Sequence, residues 1–138
     1  MTGSRLDLSD RIDIHDLFSL YGYLVDDNRG DEWVALFTED AVFDVPGLER
    51  FQGRDQVRKV IDMVASGSQG RWRHQLTNVL AQPGDEPETA KVRINGLVTD
   101  WSVDPATMTF NDYTAELRKV DGQWRIQEIV AVPNKITV

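Results

Sequence analysis

The stretch "LFSLYGYLVDDNRGDEWVALFTEDAVFDV", residues 17–45, changes its hydrophobic period partway along. Leu17, Phe18, Tyr21, Leu24 and Val25 recur at the spacing of one helical face. Ser9 and Asp10 offer N-cap oxygens upstream, so the pattern predicts a first helix from about Ser9 to about Asp27. Asn28, Arg29 and Gly30 break it. Asp31 can cap a short second helix carrying Trp33, Leu36 and Phe37. Ala41–Val45 then reads as a strand that Pro46-Gly47 ends.

Working outward, Asp55–Ala65 predicts a third helix, with Val57, Val60, Ile61 and Val64 on one side. Beyond it the character changes. Trp72–Ala81, Thr89–Val103, Met108–Val120 and Gln123–Val132 alternate and are rich in β-branched and aromatic residues. Pro83-Gly84-Asp85 and Asp121-Gly122 supply hairpin-type turns. Three helices followed by a meander of long strands give an α+β domain, with helices packed on one face of an antiparallel sheet. No repeat, low-complexity tract or linker divides residues 1–138, which read as a single domain with a core at about 9–132.

Composition narrows the function classes. The 138 residues contain no cysteine, which excludes thiol catalysis, cysteine-based zinc sites and disulfides. Acids outnumber bases 23 to 15, a net charge of −8 that would repel phosphate backbones and anionic lipid surfaces. Neither a nucleic acid nor a membrane is expected as a partner. No apolar run approaches the roughly 18 residues of a membrane span. Met1–Asp10 lacks the apolar core of a signal peptide, so a cytoplasmic protein is expected. The two histidines lack HExxH spacing, and no GxSxG, P-loop or dinucleotide fingerprint occurs. No metal and no cofactor are therefore expected. His15, early in the first helix, reads as a surface or packing residue.

Two residues stand out. Asp26 lies at the carbonyl end of the first helix, where the dipole favours cations, so its position asks for a reason other than helix stability. It reads either as a solvated acid beside Asp27 or as a site residue. With a period of two, Trp72, His74, Leu76, Asn78 and Leu80 share one strand face, and the leucines mark that face as inward. An inward histidine and asparagine need hydrogen-bond partners or a wet cavity. His74 reads either as a core histidine tied into a polar network or as a general base that a carboxylate would orient and tune. The same parity places Trp124 and Ile126 with Glu128, Val130 and Val132, making Trp124 and Glu128 second-rank pocket candidates. Glu128 reads equally as an acid exposed where its strand leaves the core. Tyr23, three positions before Asp26, can lie beside it on the helix. Trp101 and Tyr113 are ambiguous, because a twisted sheet buries both faces.

The run of residues 17–45, together with "FQGRDQV" (51–57), "RHQLTNVLA" (73–81) and "LRKVDGQWRI" (117–126), resembles SnoaL-like proteins of the nuclear-transport-factor-2-like superfamily. The resemblance covers about residues 9–132. It implies a cone-shaped α+β barrel, with three N-terminal helices on a strongly bent, mostly antiparallel sheet that encloses an apolar pocket. In the subgroup of scytalone dehydratase and hexachlorocyclohexane dehydrochlorinase, an acid ending helix one pairs with a histidine on this strand, and the histidine takes a proton from carbon. Asp26 and His74 fall on those positions. Val25 and Val45 stand where scytalone dehydratase has water-handling tyrosines. No second histidine occurs on the strand from Thr89 to Val103, where Asn95 and Thr99 are weak substitutes.

The expected function is a cofactor-independent lyase or isomerase acting on a small, largely apolar cyclic molecule. His74 would be the base, Asp26 its orienter, and Asn78 and Tyr23 would be hydrogen-bonding groups for the substrate. The alternatives are a non-catalytic module binding a hydrophobic ligand and, ranked last, an accessory subunit of a ring-hydroxylating dioxygenase. The resemblance also implies a homodimer or homotrimer.

Overall fold

The computed structural model describes residues 6–136, so residues 1–5 of the amino-terminal stretch and 137–138 lie outside it. Among the described residues no helix is long and apolar enough to cross a membrane. The elements in chain order are helix α1 (Leu8–Asp26), helix α2 (Gly30–Val34), strands β1 (Phe37–Val45) and β2 (Glu49–Gln52), helix α3 (Arg54–Ser68), and strands β3 (Trp72–Pro83), β4 (Thr89–Asp100), β5 (Thr107–Val120) and β6 (Gln123–Ile136). The six strands form one curled, unclosed sheet in the order β2-β1-β6-β5-β4-β3. Every pairing is antiparallel except that of β1 with β6. The helices cover the inner face, as expected of an α+β cone.

α1 starts slightly earlier than Ser9. Asp7 is the cap, and its carboxylate accepts the Asp10 N–H at 2.7 Å while Asp10 accepts the Asp7 N–H. This reciprocal box satisfies two free N-terminal donors at once. Asp10 Oδ1 also accepts from Lys119 Nζ and Trp124 Nε1, both at 3.1 Å, which ties the start of α1 to the β5–β6 hairpin. Burial pushes the Asp10 carboxyl up. The bonds from Lys119 and Trp124, the Asp7 backbone bond and the Lys119 charge outweigh it, leaving the group below its ordinary 3.8. A carboxyl lowered on folding contributes stability above its unfolded value and loses it as pH falls through its folded value. Asp10→Asn is therefore expected to destabilise the fold at neutral pH by about 1–2 kcal/mol. Thermal melts across pH should show the gap from wild type closing below pH 3.8.

Several strand boundaries differ from the sequence reading, among them the end of β4 at Asp100 rather than Val103. Phe37 and Leu36 are not on α2: β1 begins at Phe37, whose buried ring packs against Trp33 with centroids 4.8 Å apart. β2 is four residues long, too short to show a period. β6 continues through Pro133 to Ile136, since a proline is tolerated near a strand end.

Two β-bulges overturn the strand parity. In β3 the register with β4 slips between Thr77 and Leu80, and Asn78 sits at φ +54, a left-handed conformation that asparagine tolerates. Trp72, His74 and Leu76 face inward as expected. Asn78 and Leu80 turn to the outer face, where Leu80 is 51% exposed, and Ala81 takes the inward place. In β6 the register with β5 slips between Glu116 and Leu117, so Gln127 is the extra residue. Trp124 and Ile126 face inward, then Ile129 and Ala131; Glu128, Val130 and Val132 face outward.

Gly96 shows how tightly the inner face is packed. A Cβ there would lie 2.1 Å from Cε2 of the buried Tyr113 ring, which lies across it. Gly96→Ala is expected to evict that ring and to cost about 1–3 kcal/mol, measured by urea denaturation.

Candidate active site

The site is built where α1 ends against β3. α1 stops because Asn28 adopts φ +55, with Arg29 N–H bonding to the Leu24 carbonyl and Asn28 N–H to the Val25 carbonyl. That closing motif leaves Asp26 as the last helical residue. Gly22, one turn earlier, lets helix and strand meet closely: a Cβ there would lie 3.2 Å from the His74 carbonyl oxygen and 3.4 Å from Leu76 Cδ1.

The approach brings Asp26 and His74 together. Asp26 Oδ2 accepts the His74 backbone N–H at 2.8 Å, and Asp26 Oδ1 lies 2.6 Å from His74 Nδ1. Both side chains are about nine-tenths buried, at 8% exposure for His74 and 10% for Asp26. A carboxylate offers only lone pairs, so Nδ1 carries the proton in this contact and the neutral ring keeps its lone pair on Nε2. The helix-end position of Asp26, unfavourable by itself, is offset by two donors from a single residue. Nε2 has no partner among the described residues, yet it is not one of the sealed, unpartnered atoms that include Trp33 Nε1.

The other sequence candidates lie elsewhere. Tyr23 is 72% exposed, because its helical direction points away from the sheet. Trp124 is buried, but at the Asp10 end of β6, far along the sheet from the row His74–Val98–Thr109–Lys135. Asn78 and Glu128 are on the outer face for the bulge reasons above. Asn78 there heads a ladder across four strands: it donates to Asn95 at 2.8 Å, and Asn95 and Asn134 donate to Asp112, each at 3.2 Å. A cleft on that outer face is lined by Leu80, Arg93, Thr114, Glu116 and Glu128, not by the Asp26–His74 pair. His15 is exposed.

The sequence reading missed or left open three inward polar residues. Asn111 is buried and donates to the Gly96 carbonyl at 3.2 Å. Tyr113 and Tyr21 are also buried, with ring centroids 6.5 Å apart. The signal for the first two is the alternation Asn111, Tyr113, Ala115, Leu117, which holds through the regular part of β5. Tyr21 sits in the apolar stripe of α1, where its ring reads as packing and its hydroxyl goes unnoticed.

Comparison with known proteins agrees with this architecture. A candidate scytalone dehydratase of Novosphingobium aromaticivorans DSM 12444 superposes with a TM-score of 0.80 at 24% identity, covering 95% of this chain and 90% of that one. The hexachlorocyclohexane dehydrochlorinase LinA-type3 of Novosphingobium barchaimii LL02 gives 0.80 at 20% identity, covering 94% and 90%. A Mycobacterium tuberculosis protein of unknown function gives 0.81 at 26% identity, covering 93% and 73%. No curated protein sequence matches the chain. The family model of the SnoaL-like domain matches residues 6–130, nearly the whole of the described fold. This chain belongs to the SnoaL-like domain family, within the nuclear-transport-factor-2-like superfamily.

Proposed function

We propose that the protein is a cofactor-independent lyase or isomerase in which His74 removes a proton from carbon in a small, largely apolar cyclic substrate. The observation that carries this reading is the double hold of Asp26 on His74, through the ring at 2.6 Å and through the backbone N–H at 2.8 Å. A ring anchored at Nδ1 presents Nε2 as its base. The carboxylate then stabilises the imidazolium that forms when Nε2 takes the proton. Burial strengthens that stabilisation, because little water screens the pair. The fold neighbours named for dehydratase and dehydrochlorinase chemistry support the same reaction class.

The test is proton exchange. 2-Tetralone is a small apolar cyclic ketone with an acidic C–H beside its carbonyl. In D2O the protein is expected to speed deuterium incorporation at that carbon above the buffer rate, followed by NMR. Binding of 2-tetralone without faster exchange would instead favour a ligand-binding module. Val25 and Val45, in place of the water-handling tyrosines, are the residues that favour that second reading.

A further inference from the structure

Bases are the minority in this chain, 15 against 23 acids, yet three arginines line one cleft of about 570 Å³. Arg54 comes from the first turn of α3, Arg118 from β5 and Arg125 from β6. The cleft is remote from His74. Arg118 and Thr109 stand towards opposite ends of β5, and Thr109 belongs to the His74 row.

Two of the three guanidiniums are fixed in place without being neutralised. Arg54 donates from Nε and Nη2 to one acceptor, the Phe37 carbonyl, at 3.1 and 2.6 Å. Arg125 donates from Nη1 to the Ala35 carbonyl and from Nη2 to Gln123 Oε1, the latter at 3.3 Å. Both are half-buried, and neither forms an ion pair among the described residues. A carbonyl anchors a guanidinium but leaves its charge uncompensated, and each arginine keeps N–H groups that these bonds do not use. Arg118 is the cross-strand partner of Arg125. Like charges directly opposite one another destabilise a sheet. The acid that meets Arg118 is Asp40, at 3.5 Å, and the same Asp40 oxygen already accepts the Thr38 hydroxyl at 2.9 Å.

Tying Ala35 and Phe37 to their neighbours needs donors, which uncharged side chains also supply. An anion in the cleft accounts for the three charges as well. Glu39, Asp40 and Asp121 share the cleft, which is therefore formally neutral. All three acids are exposed, so water screens them more than it screens the half-buried Arg54 and Arg125. A ligand here is held by donor geometry at short range rather than by a broad positive field.

We propose that Arg54, Arg118 and Arg125 form a binding site for a phosphate group, free or carried by a small organic molecule. A phosphate presents acceptor oxygens in several directions, which suits guanidiniums arriving from three elements; a carboxylate presents two oxygens in one plane. The net charge of −8 repels an extended nucleic-acid backbone, which meets the whole surface. A single phosphate in the cleft sits within the Debye length, about 8 Å at physiological salt, of the arginines themselves.

The test is titration of the full chain with inorganic phosphate at constant ionic strength, with sodium chloride as the control. Binding is followed through the arginine Nε–H and backbone amide NMR signals. Saturable shifts at Arg54, Arg118 and Arg125 are expected, half-complete at roughly 1–10 mM. Arg118→Gln removes a charge that holds no backbone carbonyl, so the fold should keep its melting behaviour. It is expected to weaken phosphate binding about tenfold. Asp40→Asn releases Arg118 and is expected to tighten binding about threefold, an effect that a purely structural set of arginines would not produce. Phenyl phosphate distinguishes the two sources. Tighter binding than inorganic phosphate assigns the site to an organic phosphate, and equal or weaker binding assigns it to the free ion. Shifts that only follow those of chloride, or a phosphate affinity unchanged in both variants, overturn the site.

Discussion

His74→Ala is expected to return 2-tetralone exchange to within a small factor of the buffer rate, a loss on the order of 10²–10⁴-fold. The size follows from what the ring supplies. General-base transfer needs a lone pair held at the reacting carbon, and Nε2 is the ring nitrogen that the Asp26 contact leaves free. Alanine removes the base and also the ring donor to Asp26 Oδ1. The backbone N–H to Asp26 Oδ2 remains, so helix and strand keep one of their two bonds. The variant should melt as a cooperative fold, and its far-ultraviolet circular dichroism should match wild type. Exchange near the wild-type rate in a folded His74→Ala protein would remove His74 from the chemistry.

Asp26→Asn is the second large effect, and it acts through the imidazole. An asparagine has one oxygen to accept with, where the carboxylate used two. Either the His74 N–H or the ring Nδ1–H must lose its acceptor. Loss of the ring contact lets the proton move to Nε2, the wrong tautomer for a base, and removes the charge that stabilises the imidazolium. Exchange is expected to fall by roughly 10²–10⁴-fold. A readout that a merely structural role would not move is the His74 ring ¹⁵N spectrum, which should change from an Nδ1–H to an Nε2–H or mixed pattern. An unchanged ring spectrum with full exchange would show that Asp26 only holds the strand.

The sequence carried the architecture and half of the candidate site's geometry. α1 and α3 were legible because their apolar spacing survives into the fold: Leu17, Phe18, Tyr21, Leu24 and Val25 are all buried, as are Val57 and Ile61. His74 was legible because β3 is regular from Trp72 to Leu76. The same rule failed at Asn78 and Glu128, since each lies past a bulge, and a bulge is a mismatch of length between two strands that neither strand displays alone. The Asp26–His74 contact joins residues 48 positions apart. A dipole argument marked Asp26 as odd without naming what resolves the oddity. Tyr21 stayed hidden because a phenol in an apolar stripe looks like a phenyl ring.

The bond from the His74 N–H to Asp26 also bears on the edge of the sheet. β3 is the outermost strand of the sheet, and its open side offers backbone donors to any passing extended chain. At His74 that donor is occupied by a helix carboxylate, and Gly22 sets α1 hard against the adjoining carbonyl. The contact that aims the imidazole also occupies the sheet rim at that point, leaving one backbone donor fewer for an incoming strand.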